Sequence, residues 1–153
     1  MHVTFVCSGN ICRSPMAALV FADHLDRAGL AAFVEVTSAG IGPWHVGEPA
    51  DDRAVRTLAA HGYPTDHVAT QVDGHHLGAD LLVAMDSSHL RALRRLAPGL
   101  NRIRLLRSFD PDATGDLDVP DPYYGGPEGF ERVLAMIEAA SPGLLGLVRD
   151  TVS

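Results

Sequence analysis

The chain contains no lysine; its twelve cationic side chains are all arginine. That excludes a nucleotide-binding loop of the G-x-x-x-x-G-K type, whose lysine reaches the phosphates, and any Schiff-base mechanism. Cysteine is almost as scarce. Cys7 and Cys12 are the only two, too few for a disulfide scaffold or a four-thiolate zinc site. No apolar run approaches the roughly 20 residues of a membrane-spanning helix. Residues 1–6, MHVTFV, lack the basic flank and long apolar stretch of a signal peptide. A cytoplasmic protein with reduced thiols is expected, with export by a route that needs no signal peptide left open. Basic charge is also in deficit: nineteen acids against twelve arginines leave −7. Nucleic acid and acidic membrane surfaces, which need a basic footprint, are therefore not expected partners.

What is present describes one ordinary domain over residues 1–153, 46% hydrophobic and without repeats or low-complexity tracts. Residues 3–7 are a short β-branched and apolar run, predicting a buried strand. Ser14 as N-cap and Pro15 in the first turn open a helix that Gly29 closes. Residues 33–37 predict a second strand, ended by Ser38-Ala39-Gly40. A helix follows over 51–61, with Val55, Leu58 and Ala59 on one side. Residues 81–84 predict a third strand, 87–97 a helix, and 103–106 a fourth strand. Residues 108–129 are rich in proline, glycine and aspartate and read as one long loop. The last helix starts near 130 and is kinked or interrupted at Pro142-Gly143. This order predicts an α/β fold: a small parallel twisted sheet of about four strands with helices on both faces. Ligands then bind beyond the carboxyl ends of the strands, and the first strand ends at residue 7.

There the sequence reads Cys7-Ser8-Gly9-Asn10-Ile11-Cys12-Arg13-Ser14-Pro15. A loop between a strand and a helix N-terminus converges backbone N–H groups on an anion. Gly9 is expected to supply a positive φ, and Asn10 tolerates the same region. Arg13 offers a planar fork for two phosphate oxygens. The helix N-terminus and Arg13 favour the thiolate of Cys7, and Ser14 can donate a hydrogen bond to that sulfur.

The Cys7-x5-Arg13-Ser14 motif, joined to a late Asp121-Pro122-Tyr123-Tyr124, resembles the low-molecular-weight protein tyrosine phosphatases. Ser38-Ala39-Gly40, Trp44-His45-Val46-Gly47, His61-Gly62, His67 with Gln71, and Met85-Asp86 extend the likeness along nearly the whole chain. The arginine- and alanine-rich, lysine-free composition is similar to actinobacterial members. The resemblance implies hydrolysis of phosphotyrosine in proteins, without cofactor or metal, and inhibition by phosphate-like oxyanions; no apolar stretch argues for a dimer, so a monomer is expected. It implies Cys7 as nucleophile, with Arg13 and the amides of residues 8–14 holding the phosphoryl group, and Asp121 as general acid and base. It further implies that Ser38 and His67 hold Asn10, that Cys12 guards an oxidised Cys7 as a reversible disulfide, and that Ile11, Trp44, Tyr123 and Tyr124 wall the cleft. Tyr123 and Tyr124 are themselves open to phosphorylation. One departure is Thr70 before Gln71, where the family often has arginine; Thr70 is left outside the site.

Three alternatives remain. An arsenate reductase on this fold needs relay cysteines beyond the loop, and none follows Cys12. A protein-arginine phosphatase carries threonine where this chain has Ile11. A non-catalytic phosphoanion-binding module needs neither a nucleophile nor an acid. Residues 110–121 also imitate a calcium-binding EF-hand loop, but Pro122, Gly125, Gly126 and Pro127 forbid the exiting helix. The pair His75-His76 has no ligand spacing, and no metal site is expected.

Overall fold

A computed structural model describes all 153 residues. Four strands, β1 (His2–Cys7), β2 (Glu35–Gly40), β3 (Leu81–Ala84) and β4 (Ile103–Leu105), form a wholly parallel sheet in the order β2-β1-β3-β4. The chain leaves β1 for β2 on one side and returns to β3 on the other. The carboxyl end of β1 therefore lies at a topological switch point, the place where open α/β sheets bind ligands. Cys7 pairs with Gly40 and Val6 with Ala84, so residues 38–40 and 85–86 flank the start of the loop.

The two sheet faces bury different sets. Val3, Phe5, Val83 and Met85 pack with α1 (Arg13–Arg27), α2 (Asp52–Ala60) and α5 (Pro127–Val152) in the main core. Val6, Leu82 and Ala84 pack on the other face with Leu93 of α4 (Ser87–Leu96) and with Leu77 of α3 (Gly74–Leu77). This alternation along β1 is the period-2 geometry of a strand covered on both sides.

Several local expectations are corrected. Helix α1 begins at Arg13 with Cys12 at the cap position and no side-chain cap bond; Ser14 is inside the helix, its hydroxyl turned to the loop. Gly29 takes φ +73 one residue beyond the cap, as a C-terminal glycine should. Strand β2 starts later than 33 and runs on through Ser38-Ala39-Gly40, while Phe33 sits exposed in a 3-10 turn over Ala31–Phe33. Helix α2 is capped by Asp51 and buries Ala54, Thr57 and Leu58 instead of Val55 and Ala59. Helix α3 escapes the periodicity argument because it is a single turn, closed by an Asp73–His76 capping box. Strand β4 gives way at Leu106 to a second 3-10 turn, Leu106–Phe109.

Helix α5 starts at Pro127 and runs unbroken through Pro142-Gly143. Pro142 removes the donor for the Glu138 carbonyl. The Ser141 hydroxyl donates to the Ile137 carbonyl at 2.7 Å, and Leu144 and Val148 beyond the proline are fully buried in the same core as Val133 and Ile137. Burial on both sides of the proline keeps the helix in line. Gly143 is there for proximity: a β-carbon would overlap the Phe109 carbonyl oxygen.

Candidate active site

Cys7 lies at the base of a cleft of about 420 Å³, walled by Ile11, Trp44, Tyr123 and Tyr124 with Asp121 at its side. Cys7 is 3% exposed, whereas Trp44 is 68% and Tyr124 is 90% exposed. The two tyrosine rings meet edge to face at 5.0 Å. The cleft thus runs from an aromatic, solvent-facing rim down to one sulfur, a shape for a flat ring carrying a terminal tetrahedral group.

The loop is held by Asn10, which is fully buried and the only residue other than glycine with positive φ, at +60. Gly9, expected to take that role, has no positive φ; its missing side chain leaves room for the His45 ring, which a β-carbon would approach to 2.9 Å. The Thr70 backbone N–H donates to Asn10 Oδ1 at 3.0 Å. An N–H can only donate, so the amide orientation follows, and Nδ2 donates to Ser14 Oγ at 2.8 Å and Ser38 Oγ at 2.9 Å. His67 Nε2–H donates to the Asn10 carbonyl at 2.7 Å. Burial lowers the His67 pKa, keeping the ring neutral in that role. Ser38 and His67 therefore meet Asn10 as expected. Thr70, left outside the site, belongs to it through its backbone, a contribution that side-chain identity does not reveal.

Ser14 accepts from Asn10 and so turns its proton to Cys7 Sγ, 2.9 Å away. Cys12 differs. Burial, and then the Asp51 carboxylate, push its pKa up to about 12, so it stays a thiol. Both cysteines are free.

Arg13 is 3% exposed, and a guanidinium there needs a partner. Its Nη1 donates to Asp86 Oδ2 at 2.7 Å and to the Val119 carbonyl at 2.9 Å. That uses both Nη1 protons and leaves the Nε–Nη2 edge as a two-pronged fork, with Nη2 3.7 Å from Asp121 Oδ2. Burial works against ionisation of Asp86, but the Ser88 hydrogen bond and the His89 and Arg13 charges outweigh it and hold the carboxyl at about 2. Asp86 and the Val119 carbonyl had no role assigned from sequence. Asp86 is detectable in principle, as the capping residue of an Asp-x-x-His pair directly after a predicted strand; Val119, acting through its backbone, is not.

The acidic stretch does not assemble as a calcium loop. Asp118 ties the acidic stretch to the start of α4, accepting from Ser87 N at 2.9 Å and Ser87 Oγ at 2.8 Å, and Asp110 and Asp116 accept from backbone N–H groups two residues on. At the opposite end of the sheet, His75 joins His2 and Glu35 instead of His76. A 2.9 Å bond to Glu35 and stacking on the His2 ring at 4.6 Å account for its position.

The low-molecular-weight phosphotyrosine protein phosphatase family matches residues 2–153. The chain belongs to that family. The low-molecular-weight protein-tyrosine phosphatase A of Mycobacterium tuberculosis is 61% identical over 145 residues, 94% of this chain and 89% of that protein. Among solved structures, a protein tyrosine phosphatase from Entamoeba histolytica superposes with a TM-score of 0.93 at 32% identity, covering 99% of this chain and 98% of that one. A Drosophila arginine phosphatase superposes at 0.89 with 31% identity, over 97% and 98% of the two chains. The fold thus carries two phosphoryl chemistries, and the cleft walls must distinguish them.

Proposed function

We infer that this phosphatase hydrolyses phosphotyrosine in proteins through a phosphocysteine on Cys7. The supporting observation is the convergence of the Cys7 sulfur, the fixed Arg13 fork and the Asp121 carboxyl on one narrow cleft. The Cys7 thiolate attacks phosphorus, the S–P bond forms as the P–O bond to the ring breaks, and Asp121 delivers its proton to the departing phenolate oxygen. Water then attacks phosphorus and gives a proton to Asp121. The S–P bond breaks, inorganic phosphate leaves and the thiolate is restored. Arg13 Nε and Nη2, with the N–H groups of Ser8, Gly9, Asn10, Ile11, Cys12 and Arg13, hold the equatorial oxygens while charge spreads over them.

Specificity follows from the walls. A side chain must be long and flat to carry its phosphate past Trp44 and Tyr124 to Cys7, and Ile11 meets it with an apolar surface that favours a phenyl ring over a guanidinium. A cytoplasmic enzyme is consistent with a Cys7 thiol that must stay reduced to act. No helix is long and apolar enough to cross a membrane.

The test is hydrolysis of an aryl phosphate at mildly acidic pH in the presence of a chelator, with inhibition by vanadate. Cys7→Ser is expected to abolish turnover while retaining phosphate binding, and Asp121→Asn to cost about 10²–10⁴ in rate. Wild-type turnover by Cys7→Ser defeats the mechanism. Preference for phosphoarginine over phosphotyrosine defeats the specificity argument from Ile11.

A further inference from the structure

The Ser8 hydroxyl and the His89 ring form a pair that the mechanism above, which uses only the Ser8 backbone N–H, leaves unused. His89 stands in the first turn of α4 and is 2% exposed. Its two ring nitrogens are assigned by their neighbours. The Asp86 backbone N–H donates to Nδ1 at 3.2 Å. Asp86 Oδ1, 3.3 Å from Nδ1, is already taken by the Ser88 and His89 N–H groups and the Ser88 hydroxyl. Nδ1 therefore carries the lone pair and the proton sits on Nε2. Burial pushes the His89 pKa down to about 4, so the ring is neutral when the enzyme works. Nε2–H then donates to Ser8 Oγ at 2.8 Å.

The consequence is directional. Ser8 receives a hydrogen bond from a ring that has no lone pair left to offer in return, so its own hydroxyl proton must point elsewhere. Ser8 follows the nucleophile in the chain and lines the cleft. We propose that His89 is a positioning residue that holds the Ser8 hydroxyl as a donor into the cleft, where it bonds to a phosphoryl oxygen of the bound oxyanion. Arg13 has spent Nη1 on Asp86 and Val119, so the Ser8 hydroxyl adds a neutral side-chain donor to the Arg13 fork and the backbone N–H groups without burying another charge. Asp86 then aims two groups at once. One carboxylate oxygen fixes the Arg13 fork, and its backbone N–H sets the tautomer that turns Ser8.

This proposal rests on the phosphatase reading for turnover, but its binding half does not. Three variants separate the roles. His89→Asn keeps an acceptor for the Asp86 N–H and removes the donor to Ser8. His89→Gln places an amide nitrogen near the lost Nε2 and serves as the rescue. Ser8→Ala removes the hydroxyl. His89→Asn and Ser8→Ala are each expected to weaken vanadate inhibition and lower kcat/KM about tenfold, the scale of one hydrogen bond to a charged acceptor. KM should change less than kcat, since the bond strengthens as charge builds on the phosphoryl oxygens. The double variant Ser8→Ala/His89→Asn should be no worse than Ser8→Ala alone, and His89→Gln should recover most of the loss.

A double variant impaired by the product of the two single losses overturns the proposal, as does a Ser8→Ala enzyme with vanadate inhibition within twofold of the original. If the unaltered protein turns over no aryl phosphate, the phosphatase reading fails by itself. Calorimetric titration of the same proteins with inorganic phosphate still decides the positioning role: the same order of affinities supports it, and equal affinities or no binding to any of them overturn it.

Discussion

Replacing Asn10 isolates how much of the loop's shape is stored in one buried side chain. Three hydrogen bonds leave its amide, to Ser14, to Ser38 and from the Thr70 N–H, and its backbone sits at φ +60. At about 1 kcal/mol per bond, removal of the side chain costs about 3 kcal/mol. Alanine also carries a β-carbon into the left-handed region, worth about 1–2 kcal/mol, whereas glycine is free of that strain but more disordered when unfolded. Asn10→Gly is therefore expected to lose about 3 kcal/mol, and Asn10→Ala about 1 kcal/mol more. Both stay folded if the total is the usual 5–15 kcal/mol or so. Ser14 loses the donor that turns its proton toward Cys7, so kcat/KM should fall about 10- to 100-fold in both variants, the range for a hydrogen bond to a charged sulfur. Urea unfolding gives the stabilities by linear extrapolation, and aryl phosphate hydrolysis gives the rates. An alanine variant more stable than the glycine variant refutes the strain argument. A glycine variant as stable as the original refutes the hydrogen-bond arithmetic.

Stability should fall as pH falls, in two steps. His89 titrates near 4 when folded against 6.5 ordinarily, so between those values the unfolded chain binds a proton that the folded one refuses. Its contribution, about 3 kcal/mol, is fully present above pH 6.5 and gone below 4. Asp86, at about 2 against 3.8, contributes about 2 kcal/mol more, present above 3.8 and lost by pH 2. His89→Asn should erase the larger part of the first step; identical curves for the two proteins between pH 7 and 4 would exclude that origin. Two glycines of α5 make an internal contrast, read from their melting temperatures. Gly143→Ala should destabilise by about 2 kcal/mol because the new β-carbon overlaps the Phe109 carbonyl. Gly146→Ala, with nothing within 4 Å of the added carbon, should stabilise by about 1 kcal/mol. Equal effects at the two positions would show that α5 and the 3-10 turn move apart freely.

The elements legible in advance were those whose signals are local. Strand β3, buried on both faces, is a bare apolar run that admits one reading, and Gly29 marks a helix end by conformation alone. Phe33 misled because an exposed aromatic beside Val34 imitates a strand start, while the strand proper is carried by Val36, Thr37 and the small residues 38–40. The proline in α5 misled in the opposite direction: a helix breaker is judged from local propensity, and tertiary burial of Leu144 and Val148 overrides it. At the site, Cys7 and Arg13 are legible because the chemistry demands those side chains at that spacing, whereas Asp121 is legible only through the resemblance of Asp121-Pro122-Tyr123-Tyr124 to the family's general-acid loop. Val119 and Thr70 act through backbone atoms that any residue could supply, so no residue code announces them. Asp86 and His89 depend on the strand order, since only a sheet with β3 beside β1 brings the start of α4 against the loop.

A buried arginine in a protein of net charge −7 poses a question of its own. Asp86 is ionised and 2.7 Å from Arg13, so the pair is close to neutral and exerts little long-range attraction. Without Asp86 the guanidinium would be a lone buried charge, a cost of several kcal/mol. With it, Arg13 is fixed in orientation and its remaining N–H fork waits for a partner. On the proposed mechanism that partner is a phosphate dianion arriving beside Asp121, which faces the same Nη2 at 3.7 Å. An ionised Asp121 would repel the dianion, and a protonated one can donate to it. On that mechanism the first chemical step consumes a protonated Asp121, and departure of the aryl group leaves behind the carboxylate that the second step requires. The site gains little from the overall field of the protein. It works because Arg13 is already paired and aimed before the substrate arrives.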